Sequence, residues 1–268
     1  MSLVPLREEI KEFDESSRKL LFYGYIVRVI GDLISYIAGI GYILTGIGWA
    51  KCYSKVSRKT IFILAAILGL IGGATSLYLV VTGISAYTSV MGGTGFTGNL
   101  TLSKFRDMIV LTADALSSMQ AYLNYTILGL MFLIDSLAIF YLMKEYREAF
   151  NVFSWILLFL AGVLLLMMLA IVPHTYNQLM QLANRIDSYI QEYGDQPITP
   201  ESMYFFSEYF SILMPVIAMQ VIGVILRIIG HILVILGFNR IPKIIERMKI
   251  LSEAMKREEG TTSTEGTI

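Results

Sequence analysis

Charge is scarce in this chain. Of its 268 residues only 16% are charged and 55% are hydrophobic, and the mean hydropathy is +0.64. Soluble domains carry about 25% charged and about 45–50% apolar residues. The shortage excludes a disordered chain, a nucleic-acid-coating protein and an ordinary soluble enzyme. Lys and Arg total 21 and balance 21 Asp and Glu, so net charge points to no anionic partner and only charge placement is informative. Cysteine is nearly absent. With Cys52 alone, no internal disulfide and no cysteine metal site can form. Just past a membrane helix, it reads as an ordinary thiol, with lipid modification the alternative. His174 and His231 are the only histidines. They fall near opposite ends of two spans, too far apart to share a haem, and zinc catalysis needs three ligands. No cofactor is expected. A secretory signal is not expected either, because residues 1–19 mix Arg7, Lys11, Arg18 and Lys19 with five acids. No repeat of solenoid length is present.

What is abundant is long apolar runs. About 20 apolar residues cross a bilayer core, and lipid forces such runs to be helical because unpaired backbone groups are costly there. Five spans are expected, at about 20–50, 60–83, 121–143, 152–172 and 209–238, the fourth ended by Pro173. The fold class is an all-α polytopic membrane bundle occupying 20–239. Amphipathic segments flank it at 1–19 and 240–259, and a disordered Gly/Thr/Ser tail follows at 260–268. Between the last two spans, Leu179, Leu182, Ile186, Ile190 and Tyr193 fall at helical spacing and Gly194 reads as a stop. Thr199-Pro200-Glu201 reads as the cap of the next helix.

Cytoplasmic loops carry the excess of Lys and Arg. In a five-span chain Lys51, Lys55, Arg58, Lys59, Lys144, Arg147 and six bases after residue 239 share one side. That places the protein in the cell membrane with its N-terminus outside and its C-terminus in the cytoplasm. The four bases before residue 20 fit this poorly and would suit an even span count, such as a re-entrant segment would give. Asn99-Leu100-Thr101 is a glycosylation pattern in an outer loop. Tyr204, Phe205, Phe206, Tyr209 and Phe210 read as an interfacial aromatic belt. The expected partners are the bilayer, further membrane subunits or copies of the chain, and a cytoplasmic protein on the basic C-terminal helix. No motif addresses nucleic acid directly.

Ile40-Gly41-Tyr42-Ile43-Leu44 and Ile229-Gly230-His231-Ile232-Leu233 match at four of five positions, and both lead to a base through Gly and an aromatic residue. The two spans should therefore end at the same depth and run in the same direction. Gly93-Thr94-Gly95-Phe96-Thr97-Gly98 fits a dinucleotide fingerprint as a string, but it lacks the strand and helix that give the pattern meaning. Gly31, Ser35 and Gly39 form a small-residue strip on the first span, and Gly69 and Gly73 another on the second. Such strips let helices approach closely.

The functional candidates are the polar groups inside the spans. An ionised side chain at mid-bilayer costs about 2.5–3.5 kcal/mol on insertion scales, so each needs a partner or water. Counted from the inner bases, Asp135, His231 and Tyr42 share an inner layer and Arg227 lies one turn deeper. Asp32, Asn124 and Gln220 share an outer layer, and Arg28 sits at the outer boundary. One reading pairs Asp32 with Arg28 and Asp135 with Arg227 or His231 as structural clasps. The other lines a path with them. The expected function is a non-enzymatic channel or translocation-path subunit of a transport or secretion machine, of which a DNA-transfer apparatus is one example. The alternatives are an assembly subunit without a path and a small secondary transporter.

Overall fold

The structure, a computed structural model, describes residues 15–34, 37–55, 59–93 and 100–262. These form seven α-helices: α1 (Glu15–Leu33), α2 (Ala38–Lys55), α3 (Thr60–Gly93), α4 (Leu102–Ser117), α5 (Met119–Glu145), α6 (Val152–Tyr193) and α7 (Met203–Thr262). The fold is the all-α bundle that the apolar runs require. In four of the helices, α3, α5, α6 and α7, the described residues are long and apolar enough to cross a membrane. Their outward faces are greasy. Leu64, Ile67 and Ile71 on α3, and Ile225, Ile229 and Ile232 on α7, are all exposed, whereas Arg28, Asp135 and His231 are buried. Polar inside and apolar outside is the arrangement a lipid solvent selects, and it marks the chain as a membrane protein.

The first expected span is corrected. Residues 20–50 are not one helix but the two arms of a hairpin, broken at residues 34–37. The backbone turns through Ile37 N–H donating to Ile34 at 3.2 Å. Glycine on both arms sets the register. A Cβ on Gly24 would meet Thr45 at 2.6 Å, on Gly31 Ala38 at 2.4 Å, on Gly41 Arg28 at 2.7 Å and on Gly48 Leu21 at 2.7 Å. These pairs step in opposite directions along the arms, so α1 and α2 are antiparallel and nearly in backbone contact. The other face of α2 packs as closely on α3, where a Cβ on Gly69 would lie 2.9 Å from Gly46 and one on Gly73 only 2.7 Å from the Gly39 carbonyl. Gly69 and Gly73 are thus a packing face. Gly31 and Gly39 face different helices, so no single strip joins them, and Ser35 lies outside the described residues.

The helices close into a ring in the order α1, α2, α3, α5, α6, α7 and back to α1. At one end, Lys51 donates to Ser16 at 2.6 Å, Lys59 pairs with Glu145 at 2.9 Å and Arg247 lies 3.7 Å from Glu148. We call this the basic end. It holds the start of α1 as well as the late part of α7. The five-span count put these on opposite sides, and it fails because the hairpin returns the chain to its starting end.

The opposite end carries a cap, held by its own apolar core. Leu102, Phe105 and Ile109 of α4 pack against Leu179, Leu182 and Ile186 of α6 and Phe205 and Tyr209 of α7. Pro173 does not end α6, which runs straight through it to Gly194. The expected outer loop around residue 110 is the helix α4. The aromatic segment is also corrected. Phe205 and Tyr209 are core residues and Phe206 stacks on Phe105 at 3.9 Å, leaving only Tyr204 and Phe210 of the five exposed by half or more. The cap is pinned by Thr101, whose segment pairs with Pro197, and by Asp195, which accepts from the Ser103 amide at 3.1 Å and hydroxyl at 2.7 Å. The Gly93–Gly98 string falls largely outside the described residues, and so do Asn99, residues 1–14 and the end of the tail.

Two outcomes follow from this packing. Gly73→Leu would drive a side chain into Ile43 and Gly39 and should lower stability by about 1–3 kcal/mol. Gly223→Ala, whose Cβ meets nothing within 4 Å, should leave it equal or raised, as read by thermal unfolding in detergent. Asp195 titrates below its usual carboxylate range because the Ser103 hydroxyl and then the Ser103 amide hold its charged form. A depressed folded value contributes stability above the unfolded value of about 3.9, and that contribution is lost as pH falls through the folded one. Acidification from about pH 6 to about pH 3 should therefore lower the amide protection factors, taken against the intrinsic rate at each pH, at residues 100–104 and 195–198, and Asp195→Asn should abolish the dependence.

Candidate functional site

Residues spaced three or four apart share a helix face. On α1 that face presents Tyr25, Arg28 and Asp32, and on α2 it presents Tyr42, Thr45 and Trp49. The hairpin lays the two faces side by side and turns them toward Asp135 of α5 and Arg227 and His231 of α7. Counting explains the match. Arg28 lies nine residues past Lys19, as Tyr42, Asp135 and His231 lie nine before Lys51, Lys144 and Arg240. Asp32 lies 13 past Lys19 and Arg227 13 before Arg240. Depths counted for Arg28 and Asp32 from Lys51 were wrong because α1 runs the opposite way.

The first layer centres on Asp135. Its carboxylate accepts from Arg28 Nη1 at 2.5 Å, Tyr25 Oη at 2.8 Å and Trp49 Nε1 at 2.5 Å. Arg28 also donates to Thr45 Oγ1, and its guanidinium sits 4.9 Å from the centres of both the Tyr25 and Tyr42 rings. The pair is dry, with side chains 1% and 2% exposed. Burying two charges costs several kcal/mol each, and attraction offsets this only where the remaining donors and acceptors are satisfied. Here three donors converge on one carboxylate and two aromatic rings flank the cation, while Arg28 Nε alone is buried without a hydrogen-bond partner.

The second layer is one helical turn nearer the cap. Asp32 accepts from Arg227 Nε at 2.9 Å, and His231 Nδ1 lies 3.2 Å from its other oxygen, in ion-pair range but without hydrogen-bond alignment. Phe132 lies under the Arg227 guanidinium at 5.6 Å and beside the His231 ring at 5.8 Å. The expected clasps are therefore exchanged. Arg28 holds Asp135 rather than Asp32, and Asp32 takes Arg227 and His231. Tyr25, Thr45, Trp49 and Phe132 belong to the cluster and were not among the expected residues. The available signal was helical spacing, of Tyr25 with Arg28, of Thr45 and Trp49 with Tyr42, and of Phe132 with Asp135.

Above the second layer the bundle is hollow. A partly open cavity of about 770 Å³ is lined by Asp32 and Arg227 and walled by apolar side chains including Leu79, Val80, Leu128 and Leu164. Tyr42, Asn124 and Gln220 also line it. Asn124 and Gln220 each lie 20 residues from their basic-end bases, and Gln220 donates to Tyr125 Oη at 3.4 Å. Asn124 Oδ1 is buried without a partner. The cavity exists because the hairpin stops short. Its tip lies level with Arg227, while α7 continues toward the cap for 24 more residues, or about 36 Å. Among the described residues no group of three or more His, Cys, Asp or Glu could hold a metal ion.

Removing one partner of a buried pair strands the other charge. Arg28→Met or Asp135→Leu alone should cost about 3–5 kcal/mol, while the double substitution should recover most of the loss. Thermal unfolding of the four proteins measures the coupling directly.

No family model, no curated protein and no solved structure matches this chain.

Proposed function

We propose that the chain is a non-enzymatic translocation-path subunit of a membrane machine, in a state loaded from the cap side and closed at the basic end. The observation that carries this reading is the cavity that reaches down to Asp32 and Arg227 and stops above the dry Arg28–Asp135 pair. In this reading the cavity is a vestibule and the two charged layers are its gate. Opening requires Asp135 and Arg28 to find water or new partners. Arg227, His231 and Asp32 stand one turn away as such partners, so the gate can rearrange without leaving a charge alone in lipid.

The orientation belongs to the same proposal. Arg18, Lys19, Lys51, Lys55, Lys59, Lys144, Arg147 and the bases after Phe238 gather toward the basic end, whereas Lys104, Arg106 and Arg185 belong to the cap. The excess of positive charge supports a cytoplasmic basic end. The cap then faces outward, and the hairpin enters from the cytoplasmic side and returns to it. An assembly subunit without a path is the competing reading. It is favoured by the projection of α7 beyond the bundle with Ile250 and Leu251 more than half exposed.

Single cysteines in a Cys52→Ser background separate the two. With reagent added from the cap side, cysteine at 124, 220 or 223 should label readily and cysteine at 25 or 49 should not. Under turnover or in an Asp135→Asn variant, position 25 should become reactive and flux across proteoliposomes should change. Uniformly unreactive positions, or gate labelling that no condition alters, would favour assembly.

A further inference from the structure

The cavity has a chemistry of its own. Its volume of about 770 Å³ falls within the range of small-molecule sites, about 300–1,000 Å³, and it has the mixture such sites show, apolar walls with a few convergent polar groups. Its polar lining includes one cation, Arg227, one acid, Asp32, and the neutral groups of Tyr42, Asn124 and Gln220. Arg227 spends only Nε on Asp32, and among the described residues no other acceptor engages it. The two Nη groups, a planar fork suited to a carboxylate or phosphate, are left for an occupant. Tyr42 and Gln220 add further hydrogen-bonding capacity at the same cavity. The one acid there, Asp32, is paired with Arg227, so a cation approaching its unpartnered Oδ2 would meet the Arg227 charge beside it.

Two independent observations point to a ligand-binding role. Asn124 Oδ1 is a buried polar atom with no partner at the cavity wall, and a hydroxyl or N–H of a bound molecule would satisfy it. Gly223, between Gln220 and Arg227 on the same face of α7, is buried, yet a Cβ built on it meets nothing within 4 Å. A buried glycine with open space over it is a recess in the wall.

We propose that this cavity binds an anionic amphipath: a single-chain lipid whose phosphate or carboxylate head rests on the Arg227 fork, whose head hydroxyl donates to Asn124, and whose chain lies against the leucine and valine walls. The inference rests on the cavity being a loading site, as in the function proposed above, and it names what is loaded.

Binding is read on the full chain, purified in a sugar-headed detergent, by native mass spectrometry and by titration. The probe is oleoyl lysophosphatidic acid. Monoolein supplies the same chain with an uncharged head, and inorganic phosphate supplies the head alone. One equivalent of the probe should bind, with monoolein weaker by about tenfold or more and phosphate not measurable. Gly223→Phe should abolish binding while leaving the melting temperature unchanged. Arg227→Lys, which keeps the charge and loses the fork, should weaken the probe by about tenfold and leave monoolein unaffected. Equal binding of monoolein would overturn the anionic head, and equal binding of phosphate would overturn the lipid. Binding untouched by Gly223→Phe would overturn the site and mark partition into the detergent belt. Flux that persists without probe binding would overturn this inference alone, and binding without any flux would overturn only the path.

Discussion

A carboxylate buried in a membrane bundle must be neutralised, and Asp135 is neutralised from two other helices at once. Tyr25 and Arg28 reach it from α1, and Trp49 from α2. That convergence fixes the rest. Arg28 can reach α5 only if α1 and α2 lie nearly in backbone contact, and such contact needs glycine at 24, 31, 41 and 48. The hairpin that satisfies Asp135 cannot also cross to the cap, because its two arms of 19 and 18 residues are joined at the level of Arg227. The hollow above it is the direct result. Clasp, hairpin and cavity are thus one arrangement seen from three sides.

The second layer is looser than the first. Asp135 is saturated, whereas Asp32 has one aligned donor and a neighbouring imidazole whose two nitrogens lack hydrogen-bond partners. Tightly satisfied networks rigidify a core, and incompletely satisfied ones are where it yields. By that measure the carboxylate of the first layer is better held than that of the second.

Much of this was legible in the sequence. The apolar runs gave the helical class, Gly194 stopped α6 where the spacing said it would, and the shared depth of Tyr42, Asp135 and His231 followed from counting back to Lys51, Lys144 and Arg240. The likeness of the segments at 40 and 229 also gave the common direction of α2 and α7. The hairpin was not legible. Residues 20–50 hold no proline and no turn-forming pair at the break, and hydropathy does not distinguish one long helix from two short ones. The bases before residue 20 were the one discordant signal, and the broken span accounts for them. Once α1 was reversed, every partner of Arg28 and Asp32 changed. Pro173 misled for a different reason: a helix that already stands against α4 and α7 on its cap side has packing enough to carry a proline through.

One element touches every region described. α7 sets Phe205 and Tyr209 in the cap, Gln220 and Arg227 at the cavity, His231 in the charged cluster and Arg247 beside Glu148. Sixty residues of unbroken helix make a rod about 90 Å long. Pro215 and Pro242 each take one hydrogen bond out of that rod. The longest helix thus carries two built-in places to bend, one on the cap side of Arg227 and one just beyond Phe238, so its two ends need not move with its centre.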